Sequence, residues 1–64
     1  MKYYLKADHK NGKGATFYYC PTKAGKWTPL YENRSIFSLS EIFFYYIIST
    51  ENFESHRFTI KINE

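Results

Sequence analysis

Residues 38–50 read SLSEIFFYYIIST, and at their centre stand seven consecutive large apolar or aromatic side chains, Ile42 to Ile48. The stretch is open to four readings: a core helix, a buried strand, a membrane anchor or a surface that meets another protein. Two periodicities decide between helix and strand. Ser38 stands where an N-cap belongs, Glu41 three residues on completes a capping box, and Phe37 is placed to touch Ile42 as a hydrophobic staple. In that frame Leu39, Ile42, Phe43, Tyr46 and Ile47 fall on one stripe, at the spacing of a helix that covers a sheet. The β-branched and aromatic content of IFFYYII favours extended chain on propensity alone. Three coincident start signals outweigh that propensity, and a helix is expected.

On its far side the same helix carries Phe44 and Ile48 one turn apart, with Tyr45 beside them, where a solvent-facing surface is normally polar. Two readings stand. Either the loop around Trp27 folds over this face and buries it, or Phe44, Tyr45 and Ile48 form an exposed patch for a homodimer or a partner, since aromatics are enriched at interface centres.

Outward from the helix, period two takes over. Lys2 to Asp8 alternates Tyr3, Leu5 and Ala7 against Tyr4, Lys6 and Asp8, and Ala15 to Cys20 does the same with Phe17 and Tyr19. Between them HKNGKG offers Gly12 and Gly14 for the positive φ that a reversal needs, so a hairpin is expected. Pro21 cannot donate to a ladder and closes the second strand. Thr22 to Ser35 is expected to be a structured loop, with a short edge strand near Lys26 to Thr28 or Arg34 to Phe37 as its only room for pairing. His56 to Asn63 alternates Phe58, Ile60 and Ile62 with Arg57, Thr59 and Lys61, a strand with one dry face and one wet face. The fold class is therefore α+β in ββαβ order: a small antiparallel sheet, made of the N-terminal hairpin and the C-terminal strand, with one helix on a face.

The 64 residues make a single domain, 1–64. A chain of this size buries only about 60% of its unfolded surface. Added stabilisation is expected from the aromatic content, 7 Tyr, 6 Phe and 1 Trp, or from self-association, because Cys20 has no second cysteine to pair with. One lone thiol fits a reducing compartment. MKYYLKAD lacks the apolar core of a signal peptide, and Ile42 to Ile48 is far short of the roughly 20 apolar residues of a membrane span. Export and membrane insertion are not expected. Rich use of Phe, Tyr, Ile, Asn and Lys, whose codons are AT-rich, suggests a low-GC bacterium or one of its phages as source.

The net charge of +3 conceals a split. Up to Arg34, Lys2, Lys6, Lys10, Lys13, Lys23, Lys26 and Arg34 against Asp8 and Glu32 give +5; beyond it, Arg57 and Lys61 against Glu41, Glu51, Glu54 and Glu64 give −2. Lys10, Lys13, Lys23, Lys26 and Trp27 are thus the candidates for a basic, aromatic surface that contacts phosphates and stacks on bases. The plainer alternative is that these lysines solvate turns and blunt a strand edge.

Catalysis is not expected. Cys20, His9 and His56 have no nucleophile spacing, one Cys and two His miss every zinc pattern, and NGKG is too short for a phosphate loop. No cofactor or metal is called for.

The order of KYYLK, the Trp-bearing loop KWTPLYENRSIF, the capped helix SLSEI and the closing strand RFTIKI resembles small accessory proteins of phages and prophages of low-GC Gram-positive bacteria. That resemblance implies a stoichiometric inhibitor in the host bacterial cytoplasm, blocking a larger host or defence protein such as a CRISPR nuclease or another nucleic-acid-processing complex. It transfers no residue roles. A small basic nucleic-acid-binding module is the competing function.

Overall fold

A computed structural model describes residues 1–64. Four strands and one long helix follow in the order β1 (Tyr3–His9), β2 (Phe17–Tyr19), β3 (Trp27–Thr28), α1 (Leu39–Asn52) and β4 (His56–Ile62). A 3-10 turn at Tyr31–Asn33 precedes the helix. The sheet is antiparallel throughout, ordered β3-β2-β1-β4, with α1 packed over β1 and β4. The α+β architecture expected from the sequence is present, and Trp27–Thr28, within the structured loop and at one of the two places where a short edge strand had room, pairs with Tyr18 and Tyr19 as that edge strand. Pro29 cannot extend the ladder, which holds this strand to two residues.

β1 is the organising strand. All seven of its residues pair with β4, from Tyr3 opposite Ile62 to His9 opposite His56. On its other side β2 covers only Lys6 and Ala7. The gap at Tyr3 is filled by Phe37, through reciprocal backbone bonds of 2.9 and 2.8 Å. A buried amide left unpaired there costs as much as a lost hydrogen bond, so this bridge fixes where the chain enters the helix.

The β1–β2 connection is longer than a two-residue hairpin, and Gly12 and Gly14 take the positive φ expected of them. The Gly12 amide closes a turn on the His9 carbonyl at 2.9 Å, and Asn11 Oδ1 accepts from the Lys13 amide at 2.8 Å.

The sheet face under α1 holds Leu5, Ala7, Tyr19 and Phe58, which bury against Phe37 and Ile42. Trp27 lies at the margin of this core, its ring 5.0 Å from Tyr19 and 5.6 Å from Phe58. Only ten of the 64 residues are buried, so most large side chains keep contact with water. No helix is long and apolar enough to cross a membrane.

Candidate functional site

The helix starts as its sequence predicts. Ser38 and Glu41 form a capping box, in which the Ser38 amide donates to Glu41 Oε1 at 3.0 Å and the Ser38 hydroxyl to the same oxygen at 2.8 Å. Phe37 and Ile42 lie in one core cluster, as a staple requires.

The face that α1 turns inward differs from the expected stripe. Ile42 is fully buried, Tyr45 and Tyr46 are half-buried and Ser49 is buried, so the core-facing positions are 42, 45, 46 and 49. Tyr45, expected on the outer face, packs its ring 4.9 Å from Phe37 and 4.9 Å from Tyr19. Leu39, Phe43 and Ile47, expected in the core, are exposed at 47, 49 and 53%. The cause is the bridge at Tyr3. It pins Phe37 on the β2 side of β1, and the helix rotates about Ile42 until the next turn, at Tyr45, closes over Phe37 and Tyr19. A tyrosine suits that margin because its ring buries while its hydroxyl reaches water.

Phe44 and Ile48 do face outward, exposed at 59 and 38%. With Leu39, Phe43 and Ile47 they give α1 an outer face of five large apolar side chains. The loop that was the alternative cover lies elsewhere: Tyr31 packs on Tyr4 and Tyr18, with centroids 5.5 and 5.3 Å apart, on the sheet face opposite the helix. Arg34 lies 3.8 Å over the Tyr31 ring and donates to the Tyr31 carbonyl and to Asn63 Oδ1. The lid therefore closes the wrong side of the sheet to shield the helix.

The residues expected to form one basic surface divide in two. Lys10 and Lys13 sit in the β1–β2 connection, whereas Lys23 and Lys26 sit in the β2–β3 turn. In an antiparallel meander those turns lie at opposite ends of β2. Trp27 joins neither group, since it packs against Tyr19 and Phe58 on the helix side. Trp27 also helps line an aromatic pocket of about 180 Å³ with Ala7, Phe17, Phe53, His56 and Phe58.

His9 and His56 pair across the strands with rings 5.1 Å apart, at the other end of β2 from Cys20. The Cys20 thiol is pulled below its ordinary pKa first by the Thr22 hydroxyl, 3.4 Å from Sγ. Its backbone amide closes the turn onto the Lys26 carbonyl at 2.8 Å. Asp8 accepts from the Thr16 hydroxyl at 2.6 Å and pairs with Lys6 at 3.6 Å. No three His, Cys, Asp or Glu side chains converge on a point that would hold a metal ion.

Set against models of known families, curated proteins and solved structures, the chain matches none.

The sequence hides Leu39, Phe43 and Ile47 as surface residues because two helical frames fit it equally. Positions 42, 45, 46 and 49 keep the same spacing as the stripe through 39, 42, 43, 46 and 47. Ser49 is the one signal for the observed frame: its small side chain fits a position that is buried in the third turn.

Proposed function

We propose that this is a non-enzymatic binding protein that docks on a larger protein through the outer face of α1. One observation carries the proposal: Leu39, Phe43, Phe44, Ile47 and Ile48 lie on the outer side of a 14-residue helix, each between 38 and 59% exposed. Apolar side chains scattered singly need no account, whereas a contiguous set centred on two phenylalanines has the composition of an interface core.

Magnitude sets a limit on what this face does alone. Full burial of such a side chain contributes about 1.5–3 kcal/mol, and about half of each is still exposed, so the five together offer roughly 4–7 kcal/mol. Loss of translational and rotational freedom on association costs about 4–15 kcal/mol. A lasting complex therefore needs further contacts around the helix. The polar side chains that border it, Ser40, Glu41 and Glu51, supply a rim of that kind.

The resemblance to phage accessory proteins supports the finer proposal, an inhibitor that occupies a host or defence nucleic-acid-processing enzyme in the bacterial cytoplasm, in a one-to-one complex. A second copy of this chain is the other occupant of the same face. Sedimentation of the wild type beside Phe44→Glu separates the two, because a dimer that dissociates in the variant assigns the face to self-association. Capture from bacterial lysate then tests the hetero-partner. A protein retained by the wild type and by Lys23→Ala/Lys26→Ala, but lost with Phe44→Glu, supports docking through α1. Equal retention by the wild type and both variants rejects it.

A further inference from the structure

The face of the sheet opposite the helix carries a different chemistry. Strand alternation puts Tyr4, Lys6 and Asp8 of β1 on this side, and register places Lys61, Thr59 and Arg57 of β4 directly across from them. Tyr18 stands opposite Lys6 on the β2 side. The Lys10 amide bonds to the Ser55 carbonyl at 3.0 Å, which carries the same row one step beyond the end of the sheet. A line of cations thus runs from Lys61 through Lys6 and Arg57 to Lys10. At about 3.3 Å per residue it extends roughly 20 Å along β4.

We infer that the part of this face left uncovered by the Tyr31 loop is a binding surface for single-stranded nucleic acid, with the backbone following Lys61, Arg57 and Lys10 and a base resting against Tyr18 or Tyr31.

Charge is the first ground. Asp8 is the one carboxylate on the strand positions of this face, and it is already engaged by Thr16 and Lys6. That contact is also the only ion pair of the molecule, so Arg57, Lys61 and Lys10 have no carboxylate partner. Glu64 lines one hollow with Tyr4, Tyr31 and Lys61, so the unpaired cations clear of that carboxylate are Arg57 and Lys10, towards the hairpin turn.

Aromatic surface is the second ground. Tyr4, Tyr18 and Tyr31 pack edge-on or tilted into one cluster, with centroids 5.3–6.1 Å apart. Arg34 holds Tyr31 in place from one side, and Tyr31 remains 46% exposed. Fixed rings beside unpaired cations are the combination by which open sheets hold single strands, since every base offers a face to stack and every nucleotide a charge. A duplex, by contrast, buries its base faces and meets only the cations.

This surface stands apart from the proposed helix interface. Of Lys10, Lys13, Lys23, Lys26 and Trp27, expected to form one basic surface, it uses Lys10 alone; Lys23 and Lys26 lie at the other end of β2 and Trp27 packs against Tyr19 and Phe58.

The test is fluorescence anisotropy of a labelled 20-nucleotide oligothymidylate, titrated at 50 and at 200 mM NaCl. Three phosphate contacts predict a slope of about −2 in log K against log salt, so affinity falls about 20-fold over that range. Arg57→Ala/Lys61→Ala is expected to lower the slope by about 1.4, and Tyr18→Ser to weaken binding about tenfold at either salt. Phe44→Glu is expected to bind like the wild type, which keeps this result separate from the fate of the helix face. All these positions are exposed or half-buried, and unchanged melting temperatures confirm that the variants fold. Absence of binding at 50 mM overturns the inference. So does equal affinity for inorganic polyphosphate, which has charge but no bases, and so does binding lost with Lys23→Ala/Lys26→Ala but kept in Arg57→Ala/Lys61→Ala.

Discussion

The two faces of α1 invert the usual order of a surface helix. Inward it presents Ile42, two half-buried tyrosines and Ser49; outward it presents two phenylalanines, two isoleucines and a leucine. The outer face is the more apolar of the two. A helix shaped only by the folding of this chain would be the other way round, because burying Phe43 in place of Tyr45 removes more apolar surface from water without having to accommodate a hydroxyl. The inner face is set by geometry, namely the Phe37 bridge and the buried position at Ser49. The outer face is free of those constraints, and the proposed docking role accounts for its composition.

The sharpest way to break this comparison is to truncate one residue on each side. Ile42→Ala removes a fully buried side chain from a small core and is expected to cost about 2–5 kcal/mol. In a domain whose single core supplies about 3–5 kcal/mol, that change leaves much of the population unfolded at 37 °C. Phe44→Ala, on the outer face, is expected to stay within about 0.5 kcal/mol of the wild type. Urea unfolding of both variants at micromolar protein decides it. If Phe44→Ala is destabilised as strongly as Ile42→Ala, the outer face is already buried in solution and the contrast between the faces disappears.

How far the sequence reaches can be seen at the same helix. Its existence and starting point are legible because a capping box and a staple are local signals, each confined to a few residues. The alternating strands are legible for the same reason, as is the positive φ of Gly12 and Gly14. The rotation of the helix was not, because it depends on the pairing of Tyr3 with Phe37, 34 positions later in the chain. Nor was the side of the sheet that the Tyr31 loop closes, which follows from the contacts of Arg34 with Tyr31 and Asn63. Lys23 and Lys26 look like neighbours of Lys10 and Lys13 in a linear charge count. The short strand β2 puts them at opposite ends.

A smaller effect sharpens the local half of the comparison. Ser38→Ala removes the hydroxyl of the capping box while leaving both faces of the helix intact, and the expected loss is about 1 kcal/mol. Circular dichroism during urea unfolding measures it. A neutral result would mean that the Phe37 bridge and the sheet contacts place the helix start unaided, and that the inner face needs no help from the cap.

The smallest expected effect is one of pH, and its sign follows from the same cap. The Glu41 carboxyl is held below its ordinary pKa of 4.5, first because it accepts from the Ser38 amide and then because it accepts from the Ser38 hydroxyl. Both bonds favour the ionised form, which carries a charge suited to the positive end of the helix dipole. A folded-state pKa below the unfolded one means that the unfolded chain binds the proton first as pH falls. The contribution of Glu41 is therefore complete above pH 4.5 and disappears as the pH drops through the lower folded value. Glu41→Gln keeps an acceptor at this position but cannot titrate. Its stability should change less than that of the wild type between pH 5 and about 3, while matching it closely in shape at neutral pH. Parallel acid dependence in the two proteins would show that the cap carries no proton-linked share of the stability. The helix would then be held by its inner face alone, and the outer face would be still more clearly a surface that folding does not use.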